Sequence, residues 1–311
     1  MKRRQFVKVS QGIAGLMILG AGKSSGMSFD SGSGVKVRFG LVTDLHYARK
    51  EKAGNRCYTH SIDKLREAMK VFNEQKPDFI IELGDFKDQG ADREQTLAFL
   101  DEIETEYRMF RHPVYHVFGN HDMDNISKSD FLEHTANEGE AKGRNYYSFS
   151  VKGVKFIVLD ANYNEDGSDY DSGNFDWKKA FIPKPQLDWL SREVETRRPV
   201  VVFLHQLLDL TQKKHGTCVG NAGGVIEILE KSGKVLAVFQ GHHHAGSYSF
   251  SRGIHYFTMK GLIEGAFPEN NSFALVEIDK ELNITIDGFA NCEDMYLKDG
   301  CSSITDRPGY I

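Results

Sequence analysis

The sequence predicts an α/β fold in which two stacked mixed β-sheets are flanked by helices. Short apolar runs rich in Val, Ile and Phe, such as 79–83 and 200–204, alternate with stretches whose apolar residues recur at helical spacing. Such runs are typical of strands that are buried on both faces of a parallel sheet. A hairpin pattern near Tyr146 and alternation after Tyr248 then indicate antiparallel strands. Parallel units followed by antiparallel strands predict two sheets packed face to face, with helices outside.

The individual elements follow in a regular order along the chain. A helix at 61–73 has its apolar residues on one face, and Pro77 marks the break before the next strand. Asp88 is predicted only to cap the second helix. The other predicted elements are a strand at 79–83, a helix with inward residues from Leu97 to Tyr107, a strand at 114–118, hairpin strands at 146–151 and 155–159, a helix at 185–195, a strand at 200–204, a helix at 222–231 and a strand at 235–239.

Residues 161–183 are predicted to form a long polar loop. Asp, Gly, Ser and Asn dominate this stretch, and Trp177 lies near its end. A loop of this length within a compact domain is either a lid over a site or a solvated excursion. Its aspartates do not have the spacing of an EF-hand, so solvation is favoured over calcium binding.

The composition is that of an ordinary globular protein. The chain has 311 residues, of which 27% are charged and 40% hydrophobic, and its formal net charge is -5. This length suffices for one large domain, which we place at 36–290 and follow with a tail at 291–311. The sequence has no basic stripe with interleaved aromatic residues, so we expect no nucleic-acid partner.

Residues 1–26 are predicted to be an export signal. A charged opening with two adjacent arginines precedes an apolar stretch at 12–21, which is short for a bilayer span. The pattern resembles a twin-arginine signal, and an ordinary secretion signal or an uncleaved anchor is the alternative. We therefore expect an exported protein, periplasmic or at the cell surface, without further membrane association. A Gly- and Ser-rich linker at 27–35 would follow the signal.

The four cysteines do not have the spacing of a zinc site. Cys292 and Cys301 are close enough in sequence to form a disulfide in an oxidising compartment. The alternative is that both are free thiols in the tail.

Polar side chains follow five of the apolar runs, at the point where each predicted strand ends. In open α/β sheets, ligands bind at the carboxyl ends of the strands. Five strand ends would therefore direct carboxylate, imidazole and amide groups towards one place. These candidate metal ligands are Asp44, His46, Asp85, Asn120, His205, His242 and His244.

The donor set predicts two divalent metal ions. It contains only oxygen and nitrogen donors, which suit Mn²⁺, Zn²⁺ or iron, and seven side chains are too many for one tetrahedral ion. Two ions that share Asp85 would each have four protein ligands. In an extended segment, residues i and i+2 point to the same side, so Asp44 and His46 can serve one site. The same holds for His242 and His244.

Such a centre favours chemistry at phosphorus. Two divalent ions, two carboxylates and one bridging hydroxide leave a local formal charge of about +1, which attracts an anion. Paired ions suit in-line displacement at phosphorus by a hydroxide formed from shared water. His121 is the candidate either to donate a proton to the leaving oxygen or to hold a phosphoryl oxygen, and Asp122 is predicted to orient it. Tyr47 and His243 are added as candidate substrate contacts.

These motifs resemble the calcineurin-like metallophosphoesterase superfamily. The resemblance spans residues 36–290 and rests on Asp44-x-His46, Gly84-Asp85, Gly119-Asn120-His121-Asp122, His205 and Gly241-His242-x-His244. It implies an αββα sandwich, and it makes the residue at His121 the catalytic histidine. It also implies a first ion held by Asp44, His46, Asp85 and His244, and a second held by Asp85, Asn120, His205 and His242.

The flanking sequence resembles one branch of that superfamily, the manganese-dependent ADP-ribose/CDP-alcohol diphosphatases. The similarity lies in Phe39 to Asp44 and in the segment from Gly253 to Glu264. This branch implies manganese as the favoured metal, with iron or zinc as alternatives. The chain departs from it by having Gln206 after His205, where leucine and proline are usual.

The predicted function is a dinuclear phosphohydrolase that acts on a small, nucleotide-derived phosphoester or phosphoanhydride. A phosphomonoesterase similar to alkaline phosphatases and a protein phosphatase acting on phosphopeptides are the alternatives. A non-catalytic metal-binding protein is disfavoured because no ligand is missing from the set.

Overall fold

Two β-sheets of six strands each form the core of residues 34–298, the part of the chain that the computed structural model describes. The strands are β1 (Val35–Val42), β2 (Phe79–Glu82), β3 (Val114–His116), β4 (Tyr147–Val151), β5 (Val154–Val158), β6 (Val200–Phe203), β7 (Val235–Gln240), β8 (Ala245–Ser251), β9 (Ile254–Lys260), β10 (Ser272–Asp279), β11 (Ile284–Ala290) and β12 (Met295–Leu297).

Five α-helices connect the strands. They are α1 (Ser61–Gln75), α2 (Arg93–Tyr107), α3 (Lys128–His134), α4 (Lys184–Glu193) and α5 (Ala222–Ser232). Asp92 caps α2 by accepting a hydrogen bond from the Gln95 backbone N–H at 2.9 Å, because the first N–H groups of a helix have no partner within it. The prediction that Asp88 caps this helix is therefore wrong.

Both sheets are mixed. The first has the order β12-β11-β10-β1-β2-β3, in which β1, β2 and β3 are parallel to one another. The second has the order β4-β5-β6-β7-β9-β8, in which β5, β6, β7 and β9 are parallel. The predicted fold of two stacked mixed sheets with flanking helices is confirmed. Among residues 34–298, no helix combines the length and apolar character that crossing a membrane requires.

A cluster of phenylalanines packs between the sheets. The Phe39 ring stacks on Phe79, its neighbour in the first sheet, with 5.2 Å between ring centroids. Its other contacts are edge-to-face with Phe156, Phe203 and Phe239 of the second sheet, at 5.6, 5.6 and 5.8 Å. Aromatic pairs of this kind contribute about 0.5–1.5 kcal/mol each beyond their burial. The cluster therefore fixes how one sheet lies on the other.

The last strand extends the first sheet beyond the predicted domain end at residue 290. β12 pairs antiparallel with β11, and Leu297 is buried in the core between the sheets. Part of the predicted tail thus belongs to the fold. The predicted export signal at 1–26, most of the linker at 27–35, and Cys301 lie outside the described residues, whereas Cys292 is buried.

Candidate metal centre

The loops that follow the parallel strands are joined by backbone hydrogen bonds. The Asp44 N–H donates to the Gly84 carbonyl at 3.0 Å, and the His46 N–H donates to the Asp85 carbonyl at 2.8 Å. In the second sheet, the Gly241 N–H donates to the His205 carbonyl at 3.1 Å. The His242 N–H donates to Asp44 Oδ2 at 3.1 Å, so the strand ends of both sheets present their polar residues at one place.

Four of the predicted ligands lie in the left-handed region of backbone conformation. The φ angles are 52° for Asp44, 45° for His46, 56° for Asp85 and 66° for His242. A residue other than glycine costs of order 1–3 kcal/mol in such a conformation, and this strain persists only where the surrounding structure enforces it. Its concentration on these residues indicates that the fold is arranged to aim their side chains.

Two glycines allow the loops to approach one another closely. A Cβ atom at Gly119 would lie 2.1 Å from the Asp85 backbone nitrogen, and one at Gly241 would lie 2.2 Å from Thr43 Oγ1. The backbone nitrogen cannot move without displacing Asp85. At Gly241, Asp44 Oδ2 would also lie 2.9 Å from the added Cβ, so rotation of the Thr43 side chain alone would not relieve the contact. The glycines of the Gly119-Asn120 and Gly241-His242 motifs are therefore required by packing.

Asp44, His46 and His244 form the first group of donors. His244 Nε2 lies 3.2 Å from Asp44 Oδ1 and 3.1 Å from His46 Nε2. All three ligand atoms lie within 4.8 Å of one another, which is a spacing that one cation can bridge.

Asp85, His205 and His242 form the second group. His205 Nε2 lies 3.1 Å from Asp85 Oδ2 and 3.1 Å from His242 Nδ1. Asp85 Oδ2 also lies 3.5 Å from His46 Nε2, which belongs to the first group. Asp85 thus belongs to the second group and lies next to the first, so its predicted role as the ligand shared by two ions remains a prediction that this position supports.

The polar atoms of these groups fit a pair of cations. Two pairs of imidazole nitrogens face each other at 3.1 Å, so at most one proton can lie between the members of each pair. The Asn120 side chain is buried, and its Oδ1 has no hydrogen-bond partner among the described residues. Buried polar atoms without partners are costly, and divalent metal ions would satisfy them. The assignment of the seven residues as ligands remains a prediction that this geometry supports.

The four histidines of the donor groups form two pairs, one with lowered and one with raised pKa values. Burial lowers the pKa of His46 to about 4 and that of His242 to about 3. Burial also acts against the charged forms of His205 and His244. The Asp85 carboxylate nevertheless raises the pKa of His205 to about 10, and the Asp44 carboxylate raises that of His244 to about 9.

We expect metal binding at neutral pH to release about two protons, because an imidazole must be neutral to coordinate a metal ion. His205 and His244 carry a proton below their raised pKa values, whereas His46 and His242 are already neutral. Affinity for Mn²⁺ should therefore rise with pH until pH 9–10. Calorimetric titration of the metal-free protein in buffers of different ionisation enthalpy measures the number of protons. Release of none would contradict the assignment.

Hydrogen bonds to the second ring nitrogens hold two of the histidines in place. His205 Nδ1 lies 2.8 Å from the Leu83 carbonyl, and His244 Nδ1 lies 2.7 Å from Glu264 Oε1. Such partners fix the orientation of metal-binding imidazoles. Lys64 is fully buried, and its ammonium donates to the carbonyls of Leu262, Glu264 and Gly265 at 2.6–3.0 Å. It therefore secures the segment that carries Glu264.

His121 lies beside both donor groups. Its ring centroid is 4.7 Å from that of His46, and its backbone N–H donates to Asp85 Oδ1 at 2.8 Å. Its Nδ1 lies 2.7 Å from Asp124 Oδ2, which leaves Nε2 as the nitrogen available to a substrate. Burial opposes the charged form, but the Asp85 and Asp124 carboxylates raise the pKa of His121 above its ordinary value. The protonated ring can therefore act as a proton donor near neutral pH.

The prediction that Asp122 orients His121 is wrong. The Asp122 carboxylate is fully buried and faces the opposite side, where it accepts hydrogen bonds from the backbone N–H groups of Gly119, Asp85 and Phe86 at 2.8–3.0 Å. Residues 121–123 form a 3-10 turn, in which side chains three positions apart share a face. That periodicity makes Asp124 the partner of His121.

We expect Asp124→Asn to impair catalysis and Asp122→Asn to impair stability. Asp124→Asn removes the carboxylate that favours protonated His121, so kcat should fall roughly tenfold or more and its alkaline limb should move to lower pH. Asp122→Asn disturbs buried backbone hydrogen bonds and should lower the free energy of unfolding by about 1–3 kcal/mol. Profiles of kcat against pH and thermal unfolding of both variants test this, and the reverse pattern would restore Asp122 as the orienting residue.

Sequence reasoning also missed two residues in the loop after Asp85. Asp88 Oδ2 lies 3.5 Å from His46 Nδ1 and accepts from Lys50 through its other oxygen at 2.6 Å. Lys87 is fully buried, and its ammonium donates to the His121 and Asp124 carbonyls at 2.6 and 2.8 Å. Lys87 therefore holds the turn that carries the candidate catalytic pair.

The two predicted substrate contacts, Tyr47 and His243, each pack against another ring in the structure. Tyr47 is buried, and its hydroxyl donates to Glu102 Oε2 at 2.6 Å while its ring packs on Phe99. The prediction that Tyr47 binds substrate is therefore wrong. The His243 ring lies against His215, with 4.6 Å between centroids, so its role remains an untested prediction.

Gln206, where the chain departs from the branch it resembles, belongs to a buried amide pair. Its Nε2 donates to Asn162 Oδ1 at 2.6 Å, and Asn162 Nδ2 donates to the Phe118 carbonyl at 2.7 Å. Gln206 thus connects the segment after His205 to the segment between β3 and His121.

Comparison with known proteins identifies the family. Residues 37–246 match the sequence profile of the calcineurin-like phosphoesterases. A manganese-dependent ADP-ribose/CDP-alcohol diphosphatase of Oryza sativa subsp. japonica is 27% identical over 299 residues, which cover 82% of this chain and 92% of the relative. The Arabidopsis thaliana protein of the same name is 25% identical over 79% of this chain and 92% of its own.

Two more distant similarities bear on fold and function. The crystal structure of a dimetal phosphatase from Danio rerio has a TM-score of 0.75 and 21% identity, over 86% of this chain and all of the other, so the fold is shared. The serine/threonine-protein phosphatase CPPED1 of Mus musculus is 24% identical over 68% of each chain.

The family match covers more than half of the 311 residues. The chain therefore belongs to the calcineurin-like phosphoesterase family, whose members are hydrolases that use two divalent metal ions.

Proposed function

We propose that this protein hydrolyses the diphosphate bond of a small nucleotide-derived substrate with two divalent metal ions, manganese being favoured. The observation that carries the proposal is the pair of adjacent donor groups, with Asp85 Oδ2 close to histidines of both and the Nε2 atom of His121 available beside them. The names of the rice and Arabidopsis relatives support manganese and the substrate class.

Seven side chains would hold the metal ions. Asp44, His46 and His244 would hold one and His205, His242 and Asn120 the other, with Asp85 between them. Bound there, the ions would supply Lewis-acid stabilisation of phosphoryl charge and would acidify water.

A proton donor near the leaving oxygen would assist its departure. The pKa of His121 is raised, and 30% of its side chain is exposed. Its Nε2–H can therefore donate to an oxygen of a bound phosphoryl group. Asp124 fixes the opposite nitrogen and keeps Nε2–H directed outward, while Lys87 holds the backbone of the turn. These contacts place the proton before the substrate arrives, so no reorganisation is needed.

A substrate panel tests the proposal. Metal-free protein reconstituted with Mn²⁺ should hydrolyse ADP-ribose and CDP-choline with a higher kcat/KM than p-nitrophenyl phosphate or a phosphoserine peptide. The peptide represents the alternative that the similarity to the mouse protein phosphatase keeps open. A preference for the peptide or for the monoester would replace the diphosphatase proposal, and no hydrolysis of any substrate would refute it.

We also propose that the protein is exported. The charged opening with adjacent arginines and the apolar stretch at 12–21 support this proposal. Fractionation of cells that express the full chain, before and after replacement of Arg3 and Arg4 by lysine, tests the twin-arginine route. Retention of the native chain in the cytoplasm would contradict it.

A further inference from the structure

The loop at 161–183 is fixed along one side of the metal centre. Near its middle, the Ser172 and Gly173 N–H groups donate to the carbonyls of Ile126 and Met123 at 3.0 and 3.1 Å, next to the turn that carries His121. At its far end, the Gly220 N–H donates to the Ala180 carbonyl at 2.7 Å. Because it is anchored at these points, the loop forms part of the surroundings of the site, and a purely solvated excursion is disfavoured.

Trp177 lies where this loop passes the second donor group. It begins a 3-10 turn, Trp177–Lys179, and its ring meets the His242 ring edge-to-face with 5.5 Å between centroids. The turn is anchored because the buried Tyr170 donates through its hydroxyl to the Asp176 carbonyl at 3.1 Å and stacks on Phe175. These contacts fix the backbone of Trp177 and thereby hold its indole at the rim of the site.

The exposure of Trp177 is unusual for so constrained a side chain. The ring contacts His242 in an edge-to-face arrangement, and 40% of the residue remains open to solvent. Support of His242 alone would not require this exposure. An exposed aromatic face next to a reaction centre is a surface on which a planar ring can stack. Lys178 Nζ lies over the Trp177 ring, 5.2 Å from its centroid, which leaves the other face for a base and brings positive charge to the same rim, as suits an anionic nucleotide.

We propose that Trp177 is the platform on which the base of a nucleotide substrate stacks, and that it thereby selects nucleotides over other phosphate esters. This inference rests on the proposed function, because it assigns a residue to the recognition of that substrate. It places the base beside the second donor group and the diphosphate over Asp85. The selectivity would come from the face of the indole, with no hydrogen bond to a particular base, so adenine and cytosine nucleotides would both bind.

Two phosphates that differ by a base provide the test. AMP and ribose 5-phosphate share the sugar phosphate, and both would be products of ADP-ribose hydrolysis. Stacking of a base on an aromatic side chain is worth roughly 1–3 kcal/mol, which corresponds to roughly 5- to 150-fold in affinity. Trp177→Ala should therefore raise the inhibition constant of AMP and the KM of ADP-ribose by roughly that factor. The inhibition constant of ribose 5-phosphate should not change, and Trp177→Phe should retain most of the AMP affinity.

Metal content separates stacking from support of His242. Trp177→Ala should bind as much Mn²⁺ as the native protein; a loss of metal, or an equal weakening of both inhibitors, would overturn the inference and leave Trp177 a structural support. Unchanged AMP inhibition would overturn it as well. These outcomes leave the hydrolase proposal intact, because that proposal is judged on native turnover alone.

Fluorescence gives a readout that does not require turnover. The chain has two tryptophans, and the other, Trp189, packs against Tyr146. In a Trp189→Phe background, Trp177 is the sole indole, so AMP should quench its emission and ribose 5-phosphate should not. Absence of quenching by AMP at concentrations that inhibit the native enzyme would refute the stacking. If the native protein is inactive on every ester, quenching by AMP still decides the inference.

Discussion

Asp85→Ala is expected to abolish the binding of both metal ions and to lower kcat/KM by at least about 10³-fold. Asp85 Oδ2 lies between His46 Nε2 and His205 Nε2, so its removal takes a ligand from each donor group at once. The same change leaves two histidines without the carboxylate that faces them. Metal ions at a hydrolytic centre contribute several kcal/mol to the transition state, and each 1.4 kcal/mol is a factor of ten in rate.

Metal analysis and kinetics of the same preparation measure this effect. Asp188→Ala is a suitable control, because Asp188 is an exposed carboxylate that contacts only Lys184 among the described residues. That variant should keep full metal content and activity. If Asp85→Ala retained one tightly bound ion and substantial turnover, the shared carboxylate would be excluded and the two donor groups would be independent sites.

His121→Ala is expected to lower kcat by roughly 10²–10⁴-fold while metal content stays at the native level. His121 contacts Asp85 only through its backbone N–H, which alanine retains, and its ring contributes to the site through Nε2. The loss should depend on the leaving group. A substrate that releases p-nitrophenolate, or a phosphate monoester whose second pKa is about 6, needs little protonation of the departing oxygen, so it should be affected less than a phosphate ester that releases an alkoxide.

A second Asp–His pair supplies the control for this variant. His134 Nδ1 lies 2.7 Å from Asp101 Oδ1 on the protein surface, with the same pairing but without the donor groups. His134→Ala should leave kcat unchanged. Equal losses of kcat for both kinds of leaving group in His121→Ala would show that the ring binds phosphoryl oxygen rather than donating a proton.

The sequence was sufficient to predict how the donors converge, because each motif follows an apolar strand and parallel strands end at the same edge. The sequence was insufficient to identify the carboxylate that pairs with His121. Asp122 is adjacent in sequence, yet in a 3-10 turn the neighbour three positions away shares the face, and the turn was not predicted. A periodicity of three across His121 and Asp124 was the signal that could have identified the pair.

The buried lysines could not have been predicted from the local sequence. Lys64 reaches carbonyls about two hundred residues away in the chain, and Lys87 reaches two carbonyls of the turn after the third strand. Lysine is almost never fully buried without partners, and here the partners are backbone atoms, which leave no trace in residue types. The residue types around Lys64, in α1, and around Lys87, in the loop after Asp85, do not indicate burial, and only the tertiary structure shows it.

The phenylalanine cluster around Phe39 has a consequence for catalysis at a distance. The donors Asp44 and Asp85 extend from one sheet and His205 and His242 from the other, so the distances between them follow the alignment of the two layers. A protein interior transmits displacement because it is densely packed. Truncation of Phe39 would therefore let one sheet shift over the other and would disturb the metal ligands before the chain unfolded. The aromatic packing between the sheets is thus a determinant of turnover, although it lies far from the reaction.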